Sequence, residues 1–252
     1  MKKILYAIAI VAVAATAFTA CKPDNTNTGD KVVKRLTACG DAWSQCAFTW
    51  GTDGKVKTVT VTSGDWVETY TFTWSGNVGS AVYNENGEVK ESPFVFTMGS
   101  NGYLETLANH WGDTWAFTYD SENHLTKITR PDRDNAVKAN CVWTSGDLTK
   151  WSRVKDGGVE EWKVQTFYTD QENVAGIFAD ATDKADVSRW VFELGWCGTP
   201  SKHLLKQAAW EGSEDIAVNT YKKDKDGFVT EVSKVYGGGE PEIYTYTWEV
   251  VK

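Results

Sequence analysis

The chain has 252 residues, 41% of them hydrophobic, enough for one domain with a substantial core. A formal net charge of −8 excludes nucleic acid, which selects basic surfaces, and argues against docking on anionic lipid headgroups. Thirteen Trp, 10 Tyr and 10 Phe favour strands, because flat rings pack well on a pleated surface, and 22 glycines supply turns.

The first segment is a targeting signal. Lys2-Lys3 precedes an apolar run from Ile4 to Ala17, shorter than the ~20 residues of a membrane-spanning helix. Phe18-Thr19-Ala20-Cys21 then resembles the lipobox of bacterial lipoproteins, with Phe18 where leucine is usual. The resemblance implies cleavage before Cys21 and acylation of that cysteine, a palmitate-type anchor. The alternative is an ordinary secretory signal that happens to contain a cysteine. Lys22 follows, not the aspartate that retains enterobacterial lipoproteins at the inner membrane. The expected location is therefore the outer membrane, on its periplasmic or cell-surface side. The stretch from Lys22 to Lys31 is polar and reads as a flexible tether. The organisation is a signal peptide at 1–20, a lipidated cysteine and tether at 21–31, and a single β-repeat domain at 32–252.

Within that domain a unit recurs. An aromatic strand end leads through a polar turn to an aliphatic residue eight positions on: Phe48 to Val56, Phe96 to Leu104, Phe117 to Leu125, Tyr221 to Val229. Anchors follow at Phe48, Phe72, Phe96, Phe117, Val142, Phe167, Phe192, Tyr221 and Tyr246, about 25 residues apart. Each period carries two turn signals and so reads as a β-hairpin. The strand into the anchor alternates, with Trp66, Tyr70, Phe72 and Trp74 on one side and Val67, Thr69, Thr71 and Thr73 on the other. Glu68 interrupts the apolar side, as a solvated or hydrogen-bonded strand glutamate would.

Turns at Asp53-Gly54, Asn86-Gly87, Asn101-Gly102, Glu122-Asn123, Glu172-Asn173 and Asp226-Gly227 use residues that tolerate positive φ. On the returning strand two apolar residues stand three apart: Val56 and Val59, Leu104 and Leu107, Leu125 and Ile128, Leu148 and Trp151, Val174 and Ile177, Val229 and Val232. That spacing breaks alternation and predicts a β-bulge in each. Gly195 to Gln207 reads as the one interruption. No stretch reads as a convincing helix. Two strands per period give an all-β, antiparallel up-and-down meander of about 16 strands, curled into a half-barrel or closed barrel.

The Tyr119-Asp120 turn with Leu125-Thr126-Lys127-Ile128 resembles units of secreted Bacteroidetes lipoproteins in a domain family of unknown function, described as porin-like or half-barrel. It is also similar to the tyrosine–aspartate repeats of large secreted wrapping proteins. The resemblance implies the fold and carries no catalytic residue. Against a membrane-spanning barrel, the aromatics lie along the strands instead of in two girdles.

Cys39 and Cys46 flank a Gly40-Asp41 turn and are disulfide candidates. Cys141 and Cys197 stand about 19 Å apart in a flat sheet, so they meet only if the segment around Cys197 folds back. Three scattered histidines give no metal site, and no cofactor motif is present. No nucleophile elbow or paired acid and base indicates an enzyme. Most tryptophans are expected in the core, but Trp111 and Trp196 sit in loops beside glycine. With His110 and His203 they are the ligand-binding candidates. The expected function is a non-catalytic binding module for a glycan or small apolar ligand. The alternative is a structural or interaction component of a cell-envelope assembly. The membrane, by the lipid anchor, and an envelope protein are the other expected partners. The sequence sets no oligomeric state.

Overall fold

The computed structural model describes residues 32–134, 136–154, 158–178 and 187–251, so Cys21 and the tether lie outside the described residues. The strands are β1 (Lys34–Gly40), β2 (Gln45–Trp50), β3 (Val56–Ser63), β4 (Trp66–Ser75), β5 (Val78–Glu85), β6 (Glu88–Val89), β7 (Phe94–Met98), β8 (Leu104–Ala108), β9 (Thr114–Tyr119), β10 (Leu125–Arg130), β11 (Ala136–Thr144), β12 (Asp147–Val154), β13 (Glu160–Glu172), β14 (His203–Trp210), β15 (Ala217–Lys223), β16 (Val229–Tyr236) and β17 (Glu242–Val250). A short helix, α1 (Arg189–Glu193), lies between β13 and β14. The two-residue β6 extends a hairpin from β5, which pairs directly with β7. The other sixteen strands form an antiparallel meander in chain order. Pairing of β1 with β17, Lys34 opposite Val250 through Gly40 opposite Thr245, closes it into a barrel.

The bulges fall where the three-residue spacings predict them. The register shifts between Thr49 and Trp50, Thr97 and Met98, Leu125 and Lys127, Val142 and Trp143, and Lys222 and Lys223. Each shift lets both apolar residues of a returning strand face inward. Val56, Val59, Leu104, Leu107, Leu125, Ile128, Leu148, Trp151, Val229 and Val232 are all buried. At four of these bulges, and at those of β1 and β14, an aromatic of the neighbouring strand donates to a carbonyl beside the shift. The Nε1 of Trp50, Trp74, Trp143 and Trp248 donates to the carbonyls of Leu36, Val56, Leu125 and Val229, at 2.7–2.9 Å. The hydroxyls of Tyr119 and Tyr221 do the same for Leu104 and Leu205 at 2.6 Å. The repeated ring therefore combines apolar burial with a hydrogen bond worth about 1 kcal/mol net.

One end of the barrel carries the tight turns. Asp120 and Asp224 there accept backbone N–H bonds from residues two and four positions on, His124 and Phe228 being the farther donors. This turn end also holds the start of β1. The opposite, loop end carries residues 41–44, 64–65, 109–113, 211–216 and 237–241.

Outward positions are hydroxylated or charged: Thr49, Thr71, Thr73, Lys57, Glu105, Lys127 and Lys206 are examples. Outward valines such as Val67 and Val82 stand among them. A membrane barrel needs an apolar outer band ~25 Å tall, and this one has its apolar face inside.

Two readings of the sequence are corrected. The interruption begins directly after Glu172, not at Gly195, and runs to Lys202. Asn173 starts a turn of the usual kind, its side chain bonded to both the N–H and the carbonyl of Ile177. The chain then leaves the sheet, so Val174 and Ile177 belong to no returning strand. Phe192, an anchor position of the repeat, lies in α1 and not on a strand. The segment's described parts, 173–178 and 187–202, fill the barrel from the turn end. Trp196 accepts from the Leu104 N–H, Thr199 donates to the Asn123 carbonyl, and Lys202 donates to the Gly146 carbonyl. From these attachments α1 reaches into the interior. Trp190 packs 4.9 Å from Tyr70, 5.9 Å from Phe72 and 5.8 Å from Phe96 between ring centroids. The aromatic interior is thus completed by an element that the repeat does not encode.

Candidate functional site

With the turn end plugged, the interior formed by the described residues remains open at the loop end. A cavity of about 200 Å³ lies there. Its floor is Ser188, Arg189 and Trp190, at the start of α1. Its walls are Cys46, Val61, Glu68 and Tyr244, from the loop-end halves of β2, β3, β4 and β17, with Ser44 at the mouth. An engineered apolar cavity of ~150 Å³ accommodates benzene, so the volume suits a single six-membered ring with substituents.

Two polar groups dominate it. Arg189 is held by Glu193, Nε to Oε1 at 3.0 Å, and its guanidinium lies 3.6 Å from the centroid of the Tyr244 ring. The Tyr244 hydroxyl also donates to Glu193 at 3.3 Å. Burial works against the Arg189 charge, but Glu193 more than offsets it and keeps the guanidinium pKa above its usual value. Burial pushes the Glu193 carboxyl pKa up, against the opposing pull of Arg189. Among the described residues, neither Nη of Arg189 has an acceptor. Glu68, the residue that interrupts the apolar alternation, accepts from Trp66 Nε1 at 3.2 Å, Tyr70 at 3.0 Å and Tyr83 at 3.1 Å. Burial first, then the Glu68 charge, raises the pKa of both tyrosines.

Cys39 and Cys46 face one another directly across β1 and β2, and both are thiols. Contact with Cys46, then burial, pushes the Cys39 thiol pKa far up. Facing residues of an antiparallel pair have Cα atoms ~4.5–5.5 Å apart, within disulfide range. Cys141 is in β11, and Cys197 is fully buried in the plug.

The four ligand-binding candidates do not converge. Trp111 is 73% exposed at the loop end and packs against His110, at 3.7 Å between rings. His110 also packs on Tyr83 and Phe94, and burial, followed by Lys90, lowers its pKa. Trp196 is in the plug instead, against Phe72, Trp74, Phe96 and Trp190. His203 bonds Asp147 at 2.8 Å and lines a hollow of about 20 Å³ beneath the plug, room for one water. Sequence reasoning did not single out Arg189, Trp190 or Tyr244. The signal available was an Arg-Trp-Val-Phe-Glu run with its charges four apart, at helical spacing.

No protein-family model matches this chain, and no curated protein matches it. Solved structures match it, the first of them with the same fold. One is a porin-like protein from Bacteroides uniformis, with TM-score 0.65 and 19% identity over 85% of this chain and 98% of that one. Another is a porin-like protein from Bacteroides vulgatus, with TM-score 0.44 and 13% identity over the same shares. The expected likeness to porin-like proteins therefore holds at the level of the barrel.

Proposed function

We propose that this protein is an extracytoplasmic, lipid-anchored, non-catalytic binding protein that takes a glycan unit or small apolar ligand into its loop-end cavity. The carrying observation is the asymmetry of the interior: packed solid by α1 and the plug from one side, hollow and polar-floored at the other. The titratable groups there are engaged in structural bonds, Glu68 with three donors and Glu193 with Arg189. This supports a binding role over a catalytic one. Calorimetric titration with mono- and disaccharides and small ring compounds tests the reading. Binding that Ser44→Trp abolishes supports it, and no heat from any compound rejects it. Incorporation of labelled palmitate that Cys21→Ser eliminates would establish the anchor and, with it, envelope location.

A second reading rests on the loop-end rim, where Trp43 is 83% exposed and Trp111 73% exposed. Exposed tryptophans of this kind are typical anchors of protein contacts. As a component of an envelope assembly, the protein would co-purify with another envelope protein, and Trp43→Ala with Trp111→Ala would release it.

A further inference from the structure

We infer that the ligand of the loop-end cavity carries a carboxylate, which the guanidinium of Arg189 receives. This deepens the binding role proposed above and rests on it.

Among the described residues, Arg189 is the cation on the cavity lining. It is fixed twice over, by the Nε bond to Glu193 and by stacking 3.6 Å above the Tyr244 ring. A flexible surface arginine would lose side-chain freedom on binding, and this one has already lost it. Using Nε for Glu193 leaves the two Nη groups without an acceptor among the described residues, on a side chain only 27% exposed. The fork is thus free to face the cavity, and a carboxylate is the acceptor whose two oxygens match its planar geometry.

The other charge at the cavity does not compete for this role. Glu68 already accepts three hydrogen bonds from Trp66, Tyr70 and Tyr83, so its oxygens are engaged within the wall. Glu193 lies buried behind Arg189 and takes its Nε, which leaves the Nη edge of the guanidinium toward the cavity. Trp190 and Val61 supply apolar surface for the body of the ligand. A volume near 200 Å³ limits that body to about one ring. A sugar acid and an aromatic acid share this chemistry, and the test separates them.

The mature chain is titrated by calorimetry with glucuronate, glucose, benzoate and benzyl alcohol. The expected result is that one acid binds at least about tenfold more tightly than its neutral counterpart. The preferred acid identifies the source as carbohydrate or aromatic. Arg189→Lys keeps a charge beside Glu193 but removes the fork, and should erase the preference. Ser44→Trp, which fills the mouth without touching Arg189, should abolish binding of all four. If Arg189→Lys does not fold, the four-compound comparison on the unaltered chain decides the matter. Equal affinity for acid and neutral counterpart would overturn the carboxylate assignment while leaving a small-molecule cavity intact. No binding by any of the four would overturn the assignment and the binding role together.

Discussion

Replacing Trp190 by alanine tests whether the plug is part of the core or merely an occupant of it. Trp190 is 2% exposed and makes ring contacts with Tyr70, Phe72, Phe96 and Trp196, all within 6.0 Å. Truncating a buried tryptophan costs about 3–5 kcal/mol in transfer and cavity terms. Four aromatic contacts add to this, but the cavity already present beside Trp190 gives neighbours room to relax. About 4 kcal/mol is the working figure. In a domain of this size that is a fall of ~8–16 °C in Tm. Thermal unfolding followed by circular dichroism measures it, with Trp111→Ala as the comparison. Trp111 is 73% exposed, and its removal should change stability by less than ~0.5 kcal/mol. A loss below ~1 kcal/mol for Trp190→Ala would mean that the barrel stands without its plug, and the account of the interior would be refuted.

Four other outcomes follow from the same structure. Trp74→Phe keeps most of the ring but orphans the Val56 carbonyl, and should cost about 1–3 kcal/mol in urea unfolding, whereas Trp66→Phe should cost little. At Gly198, φ is +100° and an added Cβ would lie 2.5 Å from the Asn123 carbonyl oxygen, so Gly198→Ala should destabilise by at least ~2 kcal/mol. Asp132 is held well below the usual carboxylate range, chiefly by its bonds from Arg130. Its contribution is complete above the unfolded pKa of ~3.9 and is lost as pH falls below it, so Asp132→Asn should flatten the acid limb of the stability–pH curve. In an oxidising medium Cys39 and Cys46 should form a disulfide closing an eight-residue loop, worth about 2.5 kcal/mol, seen as a linked peptide on non-reducing digestion. Persistence of two alkylatable thiols after oxidative refolding would reject it.

The repeat was legible because each of its parts has a local cause. Residues tolerant of positive φ sit at the turns, as at Gly54, Gly102, Asn123 and Gly227. Pairs such as Leu104 and Leu107 declare a bulge, since only an extra residue puts both on one face. Closure was left open, because whether β1 meets β17 depends on accumulated twist over sixteen strands, which no short window records. The plug was missed for a different reason. Trp190-Val191-Phe192 is apolar without interruption, because α1 is surrounded by core on several sides, and five residues are too few to show a helical period. The cavity went unseen with it, since its floor is the plug and its walls join β2, β3 and β4 near one end of the chain to β17 at the other. Glu68 was the one cavity residue the pattern flagged, by breaking an otherwise aromatic side of β4.

The seam between β1 and β17 joins the first and last strands of the described residues. Val251 donates its N–H to the Val33 carbonyl, so the rim is complete only when nearly every described residue is in place. Until then the growing sheet has two raw borders able to recruit foreign strands, and afterwards it has none. A chain shortened by even its last hairpin should therefore be sticky and protease-sensitive, not a slightly smaller version of the same molecule.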